Sequence, residues 1–112
     1  MREIKFRGFD ESDNSGMYNF IPLEDMIKDG ITVMQYTGLK DKKWTDIYEG
    51  DIAKADYIYS KLTICEWDKE LLRYVFRSLN GSRLDELPLT IHTREEFEII
   101  GNIYENPELC KD

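Results

Sequence analysis

The sequence predicts a mainly β fold: one domain over residues 1–112, made of curved antiparallel strands in a small barrel-like or bent-sheet architecture with one or two short helices. Three observations predict it. Short apolar–polar alternations recur along the chain at roughly ten-residue spacing, the pattern of half-buried strands. Turn-forming clusters separate them, at Asp10 to Gly16, at Gly38 to Lys43, at Asp68 to Glu70 and at Asn80-Gly81-Ser82. The aromatic residues, 12% of the chain, are mostly tyrosine and phenylalanine, which suit a pleated surface. A hydrophobic content of 41% supplies a core that a disordered chain would lack.

The elements follow in order. Ile4 and Phe6 alternate with Glu3, Lys5 and Arg7, which predicts a first strand with the apolar pair inward. Met17 to Ile21 reads as its return strand after the polar loop. Pro22 to Asp29 is the helical candidate. Proline suits the first helical position, Glu24 and Asp25 favour the positive end of the dipole, and Lys28 favours the negative end. Leu23, Met26 and Ile27 share one face, and Gly30 can take the left-handed conformation that ends the helix. A helix of about two turns must dock on a sheet to persist. Ile31 to Thr37 reads as a strand. Ile47 to Gly50 and Asp51 to Ala55 read as a short strand, a tight turn and another strand, with the glycine permitting reversal and the carboxylate bonding nearby N–H groups. Leu62 to Leu79 is the clearest hairpin, with Leu72, Tyr74 and Phe76 alternating against Arg73, Val75 and Arg77. Residues 82–92 contain Pro88 and little periodicity and read mostly as loop. Thr93 and Glu96 have capping-box spacing, Phe97 to Ile103 is a last strand, and Asn106-Pro107 can cap and start a final helical turn.

The formal charge is −8, spread over both halves without a basic arm or acidic tail. A diffuse negative field repels phosphate backbones and anionic membranes, so nucleic acid is a disfavoured partner. No run has the length of a signal peptide or a membrane span, which makes the expected setting the cytoplasm, away from the membrane. The two cysteines, Cys65 and Cys110, are far apart and are expected as free thiols, with Cys65 in the core and Cys110 near a loose end.

The inventory of chemistry is thin. His92 is the only histidine, too little for a hydrolytic triad or a zinc site, so no catalytic residue, metal ligand or cofactor is expected. Asp10, Asp13 and Asn14 resemble the start of a calcium loop, but Ser15 stands where the turn glycine is needed, and a hairpin loop is the better reading. Glu49 and Asp51 are two carboxylates two positions apart and would support a carboxylate-based hydrolase if they faced each other, although Gly50 breaks the regularity between them. Lys40, Lys42, Lys43 and Trp44 form the one basic-aromatic cluster. It could hold a nucleic-acid strand by stacking and phosphate contact, with Arg73 and Arg77 assisting, or serve as a protein-binding hot spot. The plain alternative is a solvated turn with Trp44 folded over the edge of the core.

Two segments also resemble a known family. Val33-Met34-Gln35-Tyr36-Thr37-Gly38-Leu39-Lys40-Asp41, continued by Ile47-Tyr48-Glu49-Gly50-Asp51-Ile52, and the tail Glu98-Ile99-Ile100-Gly101-Asn102-Ile103-Tyr104-Glu105-Asn106-Pro107-Glu108-Leu109 are similar to the two signatures of the YopX-like proteins of bacteriophages and prophages. The start, Met1 to Arg7, fits the opening strand of that family. The resemblance implies a phage or prophage origin and action in a bacterial cytoplasm, and it carries no established activity. Tyr36, Gly38, Tyr48, Gly50, Asp51, Gly101, Asn102 and Tyr104 are then expected to be structural, with the two signatures meeting in space and a bulky neighbour such as Tyr36 or Tyr48 lying across Gly101. The functional expectation is a non-catalytic module that binds a protein partner, host or phage, or assembles with itself.

Overall fold

Alternation and turn chemistry sort the chain into two antiparallel sheets. The structure, a computed structural model, describes residues 3–12, 16–19, 21–55, 61–79, 87–90 and 93–110. The first sheet has strand order β2-β1-β3-β4, with β1 at Phe6–Phe9, β2 at Met17–Tyr18, β3 at Thr32–Lys40 and β4 at Asp46–Tyr48. The second has order β8-β7-β6-β5-β9, with β5 at Asp51–Ala55, β6 at Lys61–Asp68, β7 at Arg73–Ser78, β8 at Leu87–Pro88 and β9 at Phe97–Asn102. The helix α1, Leu23–Lys28, connects β2 to β3. The mainly β class and the curved antiparallel strands are those the sequence predicts.

The core lies mostly on the second sheet. Ala53 and Ala55 of β5, Cys65 of β6, Phe76 of β7 and Phe97 of β9 are almost wholly buried, together with Ile47 of β4 from the first sheet. Phe76 and Phe97 stack with ring centroids 3.9 Å apart. Small alanines on β5 leave room between β6 and β9 for these rings, so the large and small residues interlock.

Four local expectations are corrected. In β1 Arg7 is buried along with Gly8 and Phe9, Phe6 is only half-buried, and Ile4 precedes the strand and is exposed. The pairing Phe6 with Gln35 and Arg7 with Met34 turns Arg7 inward, where Asp51 neutralises it. In α1 only Met26 is buried and Ile27 is exposed, because six residues make too short a helix to present a wide stripe. Met26 docks over Gly8, whose missing Cβ would lie 2.5 Å from the Met26 sulfur. Leu72 is not in the alternating row: it sits in the β6–β7 turn at φ 54° and is exposed. Finally, the stretch read as loop contains β8, an edge strand where Pro88 needs no ladder donor.

Turn chemistry accounts for the ends. Gly30 closes α1 at φ 72°. Pro22 stands just before the helix rather than in its first position. The turn at Arg94–Glu96 forms as 3-10 helix, but Thr93 does not cap it: its Oγ1 donates to the Pro88 carbonyl at 2.6 Å and accepts from the Thr90 N–H at 2.8 Å. A last 3-10 turn follows at Pro107–Cys110. Asp10 closes the start of the first loop by accepting from the N–H and Oγ of Ser12, whereas Asp13, Asn14, the Asn80-Gly81-Ser82 turn and His92 lie outside the described residues.

Candidate functional site

The basic-aromatic cluster falls on the β3–β4 turn, and one buried carboxylate builds it. Asp41 is 1% exposed. Its Oδ1 accepts from the N–H groups of Lys43 and Thr45, each at 2.8 Å, and its Oδ2 accepts from Ile99 N–H of β9 at 2.8 Å. Backbone bonds from Lys42 N–H to the Phe97 carbonyl and from Trp44 N–H to the Asp41 carbonyl complete the clamp. The turn is therefore fixed to the edge of the second sheet. Trp44 projects from it 68% exposed, with its backbone at φ 66° and the Arg94 guanidinium 4.9 Å from its ring centroid. The reading in which Trp44 covers the core edge is thus overturned, because the left-handed backbone aims the side chain outward.

The lysines beside it have anionic partners. Asp46 receives Lys40 at 2.5 Å and Lys5 at 2.6 Å, and Lys43 lies 3.7 Å from Glu98. Hydrogen bonding to Asp46 raises both Lys5 and Lys40 above the usual lysine value. Partial burial pushes the Asp46 carboxyl up, but the two ammonium groups outweigh it and hold the carboxyl below its ordinary value. Such a cluster presents little uncompensated positive charge to a phosphate backbone.

Glu49 and Asp51 are likewise committed to separate partners. Glu49 accepts from Gln35 N–H at 2.8 Å, while Asp51 is 1% exposed, pairs with Arg7 at 2.5 Å and accepts from Tyr48 N–H at 2.8 Å. Burial pushes the Asp51 carboxyl up to about 6, against the pull of Arg7 and the Tyr48 N–H. The Arg7 guanidinium also lies 4.4 Å from the Tyr48 ring centroid, and its buried Nε has no hydrogen-bond partner among the described residues. Cys65 is buried and its thiol pushed well up by burial, and Cys110 is exposed. Among the described residues no group of three or more His, Cys, Asp or Glu side chains is placed to hold a metal.

The two signature segments interlock. Asp51 pairs with Asn102 and Ile52 with Gly101, and Ile103 N–H donates to the Gly50 carbonyl at 3.0 Å. Gly38 and Gly50 have φ of 93° and 85°, which side chains rarely adopt. Gly38 lies within the irregular register of β3, between the pairs Tyr36–Tyr48 and Lys40–Asp46. Gly101 has no positive φ but a close neighbour: a Cβ there would stand 2.5 Å from Asn106 Oδ1. That neighbour is Asn106 and not Tyr36 or Tyr48, which instead pack on each other with ring centroids 5.5 Å apart. Asn106 is drawn in because its Oδ1 accepts from Asn102 N–H at 3.2 Å, while the Asn102 side chain accepts from the N–H groups of Tyr104 and Glu105. Tyr104 then packs against Phe9, centroids 5.7 Å apart.

Comparison with known proteins agrees with these two segments. The profile of the family described as YopX protein matches residues 9–111, nearly the whole chain. The chain belongs to the YopX family. In fold it is similar to protein EF1440 from Enterococcus faecalis, whose crystal structure superposes with a TM-score of 0.69 at 24% identity over 99% of this chain and 100% of that one. A search of curated proteins finds no match. Among the described residues of this YopX-family chain no helix is long and apolar enough to cross a membrane.

One feature of the YopX-family chain is missed by sequence reasoning. An open cleft of about 430 Å³ lies where the two sheets part, lined by Val33, Glu49, Cys65, Glu66, Trp67 and Tyr104 among others. A smaller hollow of about 200 Å³ adjoins it across Glu49 and Trp67. Trp67 is 46% exposed and meets Tyr74 edge-on at 4.9 Å. The signal available was its place near the end of an apolar strand pattern, which reads equally as a core residue.

Proposed function

We propose that this YopX-family protein is a non-catalytic interaction module that binds a protein partner, of host or phage origin, through the Trp44 turn, with assembly between copies as the alternative form of the same activity. A phage or prophage source and a bacterial cytoplasmic setting belong to this reading. One observation carries it. A large aromatic side chain stands in solvent on a left-handed residue, in a turn held down by three N–H bonds to a buried aspartate. Strained, rigidly supported and exposed side chains cluster at functional positions, and tryptophan is favoured at binding hot spots. The ion pairs of Lys40 and Lys43 speak against the nucleic-acid alternative, and the separate engagement of Glu49 and Asp51 speaks against the hydrolase.

The test is affinity capture from the bacterial host, followed by binding measurements with the captured partner. Trp44→Ala is expected to weaken binding by about 2 kcal/mol or more while changing folding stability by less than about 1 kcal/mol. Unchanged affinity in that variant would remove the Trp44 turn from the interface. Salt-sensitive binding of single-stranded DNA, lost on replacing Lys42 and Lys43 with alanine, would shift the reading to nucleic acid.

A further inference from the structure

The cleft at Trp67 has a chemistry of its own, independent of the Trp44 turn, none of whose residues line it. Its walls are two strands whose hydrogen-bonding edges are open. In β3, Tyr36 N–H donates to the Lys5 carbonyl, so Tyr36, Met34 and Thr32 direct their backbone groups toward β1. Gln35 and Val33 point the other way. Gln35 is satisfied on that side by Glu49, but β4 begins its pairing at Tyr36 and does not reach Val33. In β6, Cys65 accepts from Gly50 N–H, so Cys65 and Trp67 direct their backbone groups toward β5. The strand β5 starts at Asp51 and pairs no farther along β6 than Ile64, so it does not reach Trp67. Glu49 and Gly50 thus bridge β3 to β6 at one end of the cleft, and beyond them Val33 and Trp67 face the gap with N–H and C=O groups that make no backbone hydrogen bond on that side among the described residues. Neighbouring strands lie about 4.8 Å apart, so a gap closed at one end by a single dipeptide has the scale of one extended chain.

The charge of the cleft is one-sided. Glu49 uses Oε1 on Gln35 and Glu66 uses Oε2 on Arg77, which leaves one oxygen of each without a hydrogen bond among the described residues. Among the described residues, no lysine, arginine or histidine lines the cleft or the adjoining hollow, and both include the Trp67 ring. Two carboxylates, aromatic faces and apolar walls together suit a cation on an aliphatic stem. We propose that the cleft binds an extended basic peptide segment of a partner protein. The peptide backbone pairs with the open edges at Val33 and Trp67. Successive side chains of an extended peptide face opposite sides, so one lysine or arginine lies along Trp67 and reaches Glu49, and the next reaches Glu66 on the other face of β6.

The test uses a fluorescently labelled octapeptide of alternating arginine pairs and valine pairs, which puts an arginine of each pair on either face, followed by anisotropy against the full chain. Saturable binding is expected, at least about tenfold weaker for the same peptide with glutamate in place of arginine and at least about tenfold weaker for the Glu49→Gln/Glu66→Gln double variant. Glutamine at 49 keeps an acceptor for Gln35 N–H, so the fold should stand, as an unchanged circular-dichroism melt would verify. N-methylation at alternate peptide positions should abolish binding, which separates backbone pairing from charge attraction alone. Equal binding of the acidic peptide, no saturation at millimolar peptide, or full binding by the N-methylated peptide would overturn the proposal. So would a concentration-dependent dimer in sedimentation that is lost in Trp67→Ala, since a second copy would then be the occupant.

Discussion

Asp46 and Asp51 are neighbouring carboxylates with opposite consequences for pH. Asp46, held between Lys40 and Lys5, has a folded-state value below the unfolded one of about 3.9. Its stabilising contribution is present above that value and is lost as pH falls through the folded one. Asp51 has a folded-state value of about 6, above its unfolded one, so between pH 6 and 4 the folded chain holds a proton that the unfolded chain has released. Asp51 therefore favours folding more as pH falls from 7 to 4. Urea denaturation at several pH values should show this contrast. The advantage of wild type over Asp46→Asn should shrink below pH 4. Wild type should gain on Asp51→Asn between pH 7 and 4. Removing Asp51 outright is a different matter: Asp51→Ala leaves the Arg7 guanidinium buried without a counter-charge and should cost about 3–5 kcal/mol. Trp44 supplies another residue-scale comparison. Its φ of 66° strains any side chain, so Trp44→Gly should be about 1 kcal/mol more stable than Trp44→Ala by thermal melting.

At the level of elements, the β3–β4 turn is a part of the second sheet in all but connectivity. Asp41 closes the turn on itself with Oδ1 and holds β9 with Oδ2. Asp41→Ala should therefore cost about 1–3 kcal/mol, since three N–H groups lose their acceptor. It should also speed amide hydrogen exchange at Lys43, Thr45 and Ile99, while the β6–β7 amides stay protected. Uniform acceleration across the chain would instead mean global destabilisation without a local clamp. This element also shows where sequence reasoning reaches and where it stops. Gly30, the Asp68 turn and the Gly50-Asp51 reversal were legible because glycine and aspartate act on their own backbone within a few positions. The inward turn of Arg7 was not, because its warrant is Asp51, 44 positions away. The same holds for Gly101, whose close neighbour depends on how the Asn102–Asn106 turn folds back. The Trp44 turn was visible as a candidate, but the ion pairs that consume its lysines come from Asp46 and Glu98. The Trp67 cleft was invisible because it is the space between β3 and β6, which no single segment encodes.

For the whole molecule, the decisive join is the corner between β4 and β5. Glu49 bonds Gln35 of the first sheet, and Gly50 bonds Cys65 and Ile103 beside the second. Asp51 reaches back to Arg7. Three consecutive residues thus hold both sheets. The first sheet alone has four strands, of which β2 and β4 are very short, and of the main buried cluster only Ile47 belongs to it. It has too little apolar burial to persist by itself. The two sheets should therefore unfold together, with far-UV circular dichroism and tryptophan fluorescence giving coincident transitions. Trp44 sits on the β3–β4 turn, which joins two strands of the first sheet and is clamped to β9, and Trp67 lies in β6, so fluorescence reports on the join as well as on the second sheet. Gly50→Ala tests the corner directly. Its φ of 85° strains alanine, and the new methyl would lie 3.4 Å from the Tyr104 ring, so a loss of about 1–3 kcal/mol is expected. The corner serves both sheets, so the variant should melt earlier yet still in one transition. If Gly50→Ala instead split the melt into two steps, the sheets would be separable units, and the corner would be a hinge between them and not the joint that makes them one.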